Sequence, residues 1–342
     1  MKSAVFYQAR TLTVETLPDP EIREDEVLIK VMACGICGTD VHIFEGDEGA
    51  AKTPPKTVLG HEFSGIVLRT GKKVQSVHSG DRVTVDPNQF CGLCDACRKG
   101  SVHFCTHMTG IGTTVNGGFS ELCAVPESQV YKIAATTPFE DAAMTEPVSC
   151  CLHGIDLCDI KTDDTVLVIG CGMIGMIMLQ LAKLYGAAHV IAIEPDQQKH
   201  ALAVQLGADF CIDPIHENVE ETLAAHQMKH ISKVIECVGK PSTMEQAIAL
   251  AGEKATVMLF GLTAPRDTIT IKPFEVFKKE LTIKASYINP HTQKRALELI
   301  DEKRIDVHSM IYQTAPLDAL PEILSHPEKR SKGKYIILPN QR

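Results

Sequence analysis

Thr165-Val-Leu-Val-Ile169-Gly-Cys-Gly172-Met-Ile-Gly175, continuing through the apolar stretch Met176 to Tyr185, decides the fold of this chain. Five residues of the kind buried in a parallel strand run straight into a glycine turn, and a helical pattern follows at once. His189-Val-Ile-Ala-Ile-Glu194 supplies a second strand ending in a carboxylate, which completes a βαβ unit. A lone GxGxxG is a weak signal, but here the preceding strand, the following helix and an acidic residue about 20 positions on are all present. In this reading Gly170 permits the tight turn, Gly172 lets a pyrophosphate approach the backbone, and Gly175 allows the helix to pack closely on the strand. The helix N-terminus, with Met173 and Ile174 in its first turn, faces the phosphates. Glu194 accepts hydrogen bonds from the adenosine ribose and repels a 2′-phosphate, so NAD is favoured over NADP, while Lys199 offers some counter-charge to a phosphate. Further apolar runs, Lys233 to Val238 and Ala255 to Gly261, extend a doubly wound parallel sheet that ends near Leu281 to Ala285. Val238, Gly261 and Ser286, at the ends of these strands, are assigned to the same cofactor site.

At 342 residues the chain is long for one hydrophobic core, so two domains are expected. The change of pattern places one domain over residues 151–287 and the other over residues 1–150 and 288–342, since the final helix and strand are too few to form a third. Hydrophobic content of 44% and charged content of 23% are ordinary for a globular protein. No run of about 18 apolar residues could span a bilayer, and no signal-peptide core follows Met1, so a cytoplasmic protein with no membrane partner is expected. A net charge of -9 argues against a sequence-independent grip on nucleic acid. Thirteen cysteines cannot pair completely, and in a cytosolic-looking chain clustered thiols more often bind metal.

The first third alternates short apolar runs with charges, as in Lys2 to Tyr7 and Glu26 to Met32, and reads as antiparallel strands. Two clusters stand out. In Cys37-Gly-Thr-Asp40 and Gly60-His61-Glu62, a thiolate, an imidazole and a carboxylate form the mixed ligand set of a catalytic zinc with one open position. Asp40 is placed to accept a hydrogen bond from the other ring nitrogen of His61 and so fix its tautomer. Taken alone, these residues also fit a buried thiol beside an ordinary histidine. Cys91, Cys94, Cys97 and Cys105 form the stronger cluster: four thiolates close a tetrahedron around a structural zinc and pin a loop with little core of its own. An iron–sulfur cluster also takes four cysteines, and spacing leaves it open. Cys123, Cys150, Cys151, Cys158, Cys171, Cys211 and Cys237 fit no metal pattern and read as small buried hydrophobes.

With Cys37-Gly-Thr-Asp-Val-His42, Gly60-His61-Glu62, the four-cysteine loop, Thr145-Glu146-Pro147 and the glycine turn in this order, the chain resembles the zinc-dependent medium-chain dehydrogenases along its whole length. Within them it is most similar to the polyol branch of the sorbitol and L-iditol type, with threonine and butanediol dehydrogenases as near relatives. The resemblance implies a GroES-like β-rich catalytic domain and a Rossmann domain, with the active site between them. It also implies two zincs per chain, one catalytic and one structural, with NAD as cofactor. It assigns the catalytic zinc to Cys37, His61 and a carboxylate, with Glu62 and Glu146 sharing or exchanging that position. A carboxylate donates less electron density than the cysteine found at the Glu146 position in alcohol dehydrogenases, leaving a stronger Lewis acid. Thr39 is implied to receive the substrate hydroxyl proton and His42 to pass it toward solvent.

Sorbitol-type enzymes carry an arginine where this chain has Ser286 before Tyr287, which argues against sorbitol itself. The acidic stretch Phe44 to Ala51 argues against a sugar phosphate. The expected function is hydride transfer between NAD and a polyol or other secondary alcohol. A threonine- or butanediol-type dehydrogenase and a noncatalytic nucleotide-binding redox sensor are the competing readings, and the complete ligand set speaks against the last. The branch implies a homotetramer or homodimer.

Overall fold

The computed structural model describes residues 1–47, 52–228, 230–330 and 332–341, so part of the acidic stretch Phe44 to Ala51 lies outside the described residues. The chain divides into two compact units, Met1–Ser149 with Asn289–Arg342, and Cys150–Ile288.

Among the described residues, the first unit is built on a seven-stranded sheet. At its centre the strand Glu26–Gly35 pairs antiparallel with Glu62–Thr70, Leu122–Pro126 and the C-terminal strand Lys334–Leu338. Burial on both faces explains the near-continuous apolar run of Glu26–Gly35. Ile29, Leu59, Phe63 and Phe119 are fully buried in the core that this sheet shares with a smaller three-stranded sheet. The register sets Gly35 opposite Glu62 on one side and Ile336 on the other. Residues far apart in sequence therefore meet at one end of the central strand.

In the second unit six parallel strands run in the order Phe210–Ile212, His189–Ile193, Thr165–Ile169, Lys233–Glu236, Thr256–Leu259 and Thr282–Ala285. The helix Met173–Leu184 packs on Thr165–Ile169 and His189–Ile193, and Pro241–Leu250 packs on Lys233–Glu236 and Thr256–Leu259. The strand order reverses between Thr165–Ile169 and Lys233–Glu236, the switch point at which ligands bind outside the carboxyl ends of the strands. The strand Phe210–Ile212 is absent from the sequence reading, because three residues carry too little periodicity to be seen.

The chain leaves the first unit at Ser149 and returns at Asn289, and a buried polar knot ties the two crossings together. The Asn289 side-chain amide donates to Ser149 Oγ (2.8 Å), Gln293 Oε1 (3.3 Å) and Asp86 Oδ1 (3.3 Å), and Thr292 Oγ1 donates to the Ser149 carbonyl (2.7 Å). The Asn88 amide N–H also donates to Asp86 Oδ1 (3.0 Å). Burial nevertheless dominates and raises the Asp86 pKa from 3.8 to about 6. The folded protein thus holds this proton more tightly than the unfolded chain. The cost of the buried charge is absent below about pH 4 and complete above about pH 6, on the order of 3 kcal/mol. Asp86→Asn keeps an acceptor for both donors, so urea unfolding should show its stability relative to wild type rising by about 3 kcal/mol between pH 4 and pH 7. A difference that does not change with pH would count against this assignment.

Candidate active site and metal centres

Cys37 sits at the N-cap of the helix Gly38–Glu45, and Asp40 in the first turn accepts the Cys37 amide N–H through Oδ2 at 2.8 Å. The other oxygen, Oδ1, lies 3.5 Å from His61 Nδ1. One buried carboxylate therefore holds the backbone of the thiol residue and stands near the ring edge of His61, but the hydrogen bond expected between them is not formed: Asp40 Oδ1 and His61 Nδ1 are each without a hydrogen-bond partner among the described residues. His61 precedes the strand Glu62–Thr70 because Gly60, at φ 95°, turns the chain where a Cβ would come within 2.8 Å of Cys34 Sγ and the Phe119 ring. Burial disfavours a charged His61, but the Asp40 and Cys37 charges outweigh it and hold the ring's pKa well above its ordinary value.

Ligand atoms of Cys37, His61 and Glu62 lie within 4.8 Å of one another. Glu146, buried in the first turn of the helix Thr145–Cys158, lies outside that group. Glu62 is completely buried, and its Oε1 has no hydrogen-bond partner among the described residues. An orphaned carboxylate oxygen beside a thiol and an imidazole is what a cation would satisfy, so the donor set fits zinc. The other oxygen, Oε2, is paired with the ammonium of Lys334, itself buried at the start of the C-terminal strand. Burial works against the Lys334 charge, and Glu62, Cys37 and Asp40 overcome it and raise its pKa. The sequence reading missed Lys334. A single lysine at the edge of an apolar run reads as a solvated flank, and only strand order brings it to the site.

Thr39 is half-buried on the same helix as Cys37, one turn before His42. The helix ends at Gly46 in the left-handed region, so the Asp47 N–H bonds the His42 carbonyl (2.8 Å) and Asp47 Oδ2 comes to 3.3 Å from His42 Nδ1.

Sulfurs of Cys91, Cys94, Cys97 and Cys105 also converge within 4.8 Å. Backbone N–H groups of Leu93 and Cys94 donate to Cys91 Sγ (3.4 and 3.3 Å), and those of Cys91 and His107 to Cys105 Sγ (3.3 and 3.4 Å). Amides of Cys97 and Thr106 pull the Cys94 thiol down to about 5, toward the thiolate a metal takes. Elsewhere burial pushes Cys123 and Cys158 up to about 12, as expected of inert core thiols.

At the switch point of the second unit, a Cβ on Gly175 would overlap the Gly170 carbonyl, whereas one on Gly172 would meet nothing within 4 Å. Gly172 is the N-cap of Met173–Leu184 and borders open space at a helix N-terminus, a cradle that fits a pyrophosphate. Gly170 packs against Val238, and Gly261 against Glu236 and Gly239, so these glycines gather at the strand ends. Ser286 Oγ follows the last strand, buried and without a partner among the described residues. Glu194 departs from its expected role in one respect: both oxygens already take backbone amides, Oε2 from Cys171 (2.7 Å) and Oε1 from Asp196 (3.0 Å). It shapes the glycine turn as well as bordering the site. Lys199 Nζ stands 3.9 Å from Glu194 Oε1.

Residues 23–135 match the alcohol dehydrogenase GroES-like domain, and residues 174–302 match the family of zinc-binding dehydrogenases. An L-threonine 3-dehydrogenase of Bacillus velezensis is 33% identical over 335 residues, covering 96% of this chain and 95% of that protein. The chain belongs to the zinc-dependent medium-chain dehydrogenases. D-arabinitol dehydrogenase 1 of Uromyces fabae is 31% identical over 348 residues, covering 99% and 97%. A crystal structure described as a zinc-binding dehydrogenase from Sinorhizobium meliloti 1021, bound to NADP, is 36% identical with a TM-score of 0.94 and covers 99% of both chains. As a member of this family's polyol-type branch the protein is an oxidoreductase. Among the described residues no helix is long and apolar enough to cross a membrane.

In this dehydrogenase Cys94→Ser should leave a single zinc per chain by mass spectrometry and lower the thermal midpoint by about 5–10 °C. An unchanged metal count would show that the four thiols hold no ion.

Proposed function

We propose that the protein is a zinc- and NAD-dependent dehydrogenase that interconverts an uncharged polyol or other secondary alcohol and its ketone. The observation that carries the reading is the group of Cys37, His61 and Glu62 with ligand atoms within 4.8 Å and one orphaned carboxylate oxygen. The name of the arabinitol dehydrogenase relative supports the substrate class.

Cys37, His61 and Glu62 would hold the catalytic zinc, with Glu146 as the alternate carboxylate, and Cys91, Cys94, Cys97 and Cys105 a structural zinc. When bound, the catalytic zinc supplies a Lewis acid that lowers the pKa of the substrate hydroxyl. NAD supplies the hydride acceptor. Asp40, 3.5 Å from Nδ1, would favour the His61 tautomer protonated there once the two close to hydrogen-bond distance. Thr39 Oγ1 would accept the substrate hydroxyl proton as it passes its own to the cofactor ribose hydroxyls, and His42, whose Nδ1 faces Asp47, would take a proton from that relay at Nε2 and release it to solvent.

Gly170, Gly172, Met173, Ile174 and Gly175 would bind the dinucleotide, bordered by Val238, Gly261 and Ser286. Glu194 supports NAD, because a 2′-phosphate would meet its carboxylate. Lys199 and the NADP-bound relative support some tolerance of NADP. A threonine-type dehydrogenase is the second reading, favoured by the 33% identical relative. We also infer a homo-oligomer, dimer or tetramer. The edge strand Thr282–Ala285 ends its sheet, and beside it in sequence Phe274 (68% exposed) and Phe277 (78%) lie open on one helix.

Cys37→Ser should take the metal content from two zincs to one and abolish NAD reduction across a panel of polyols, diols, simple alcohols and threonine. Wild-type turnover on a single class would name the substrate. One zinc in both proteins would end the reading of a catalytic zinc at Cys37, His61 and Glu62. His42→Gln should leave both metals in place and slow turnover about tenfold or more, mainly below neutral pH where hydroxide cannot replace the relay. An unchanged pH–rate profile would remove His42 from it.

A further inference from the structure

Lys334 lies 272 positions after Glu62, yet its ammonium pairs with Glu62 Oε2 and donates to the Ile36 carbonyl at 2.8 Å, with both side chains buried. The pair lies close against the backbone of the central strand. A Cβ on Gly35, which stands between them on the central strand, would overlap Glu62 Oε2 and come within 2.8 Å of Lys334 Cε. Glu62, grouped with Cys37 and His61, therefore has one oxygen bound to a buried cation and the other, Oε1, without a partner among the described residues.

Lys334 is the cation that pairs with Glu62 and, with His61 neutral as a metal ligand, the anionic side chains of this pocket are Cys37, Asp40 and Glu62. A divalent metal leaves that set one negative charge over, and Lys334 supplies the balancing positive charge. A unit charge in a buried site acts strongly on an ion a few ångströms away.

We propose that Lys334 is a positioning residue that keeps Glu62 from closing fully onto the metal: it retains Oε2, leaves Oε1 as the one oxygen offered beside Cys37 and His61, and weakens the hold on zinc. The inference rests on the assignment of a catalytic zinc to these residues. Its consequence is a site that keeps a position open for the alcohol oxygen, at the expense of metal affinity.

The test is release of zinc to a chelator from the full-length, zinc-loaded enzyme, with metal content read by mass spectrometry. The catalytic zinc is identified as the one missing from Cys37→Ser. Lys334→Met should release that zinc about tenfold more slowly while KM for the alcohol rises, and the second zinc should leave at the wild-type rate. Release as fast as wild type, or faster, would overturn the proposal, since a lysine that merely supports the fold would loosen the metal when removed. Should Lys334→Met not fold, the pair Glu62→Gln and Glu62→Gln/Lys334→Met decides. With the glutamate charge gone Lys334 only repels the metal, so the double variant should hold zinc more tightly than the single, and equal or weaker retention overturns the proposal. A wild-type enzyme with one zinc per chain would overturn both this inference and the reading beneath it.

Discussion

The first unit depends on keeping Cys37, Asp40, His61, Glu62 and Lys334, all ionisable, together in and beside a core lined by Phe63 and Phe119. Charges removed from water are tolerated only where each finds a partner. Here the partners are arranged as a chain. Lys334 pairs with Glu62, Asp40 accepts the Cys37 amide and stands near His61, and the unpartnered Glu62 Oε1, on the carboxylate grouped with the thiol and the imidazole, is what a divalent cation would complete. The central strand Glu26–Gly35 carries this arrangement, because its register with the strands on either side sets Glu62 and Lys334 about Gly35.

The two candidate metal sites illustrate different ways of building a ligand set. The four-cysteine loop is local: sulfurs from residues 91 to 105 converge, and amides of the same segment donate to them. It needs little from the rest of the unit. The Cys37 site draws on a helix N-cap, a strand start and the C-terminal strand, so it exists only once the sheet has formed. A loop held by its own metal suits a structural role, whereas a site built into a sheet inherits the rigidity that positioning a reacting group requires.

The second unit solves a simpler problem. A parallel sheet has its switch point wherever the strand order reverses, and the glycine turn after Thr165–Ile169 lies there. Glu194 adds a refinement, since it binds the Cys171 and Asp196 amides and thereby ties the glycine turn to the end of the neighbouring strand. A residue after the second strand thus holds the turn after the first.

The sequence by itself determined what depends on local pattern. The strand Thr165–Ile169, the turn at Gly170 to Gly175 and the four cysteines were legible because apolar periodicity, glycine spacing and ligand spacing all act within a few dozen residues. The likeness of Cys37, His61 and Glu62 to a metal site was legible too, as residue types in a known order. What only the tertiary structure decided is which carboxylate stands with Cys37 and His61, and what stands behind it. Glu62 lies in that group and Glu146 outside it, and Lys334 reaches Glu62 through strand pairing across most of the chain. The knot of Asp86, Ser149 and Asn289 is of the same kind. Such contacts leave no mark in the sequence because each partner is an ordinary polar residue where it stands. Burial and register, properties of the assembled sheet alone, make it part of a site.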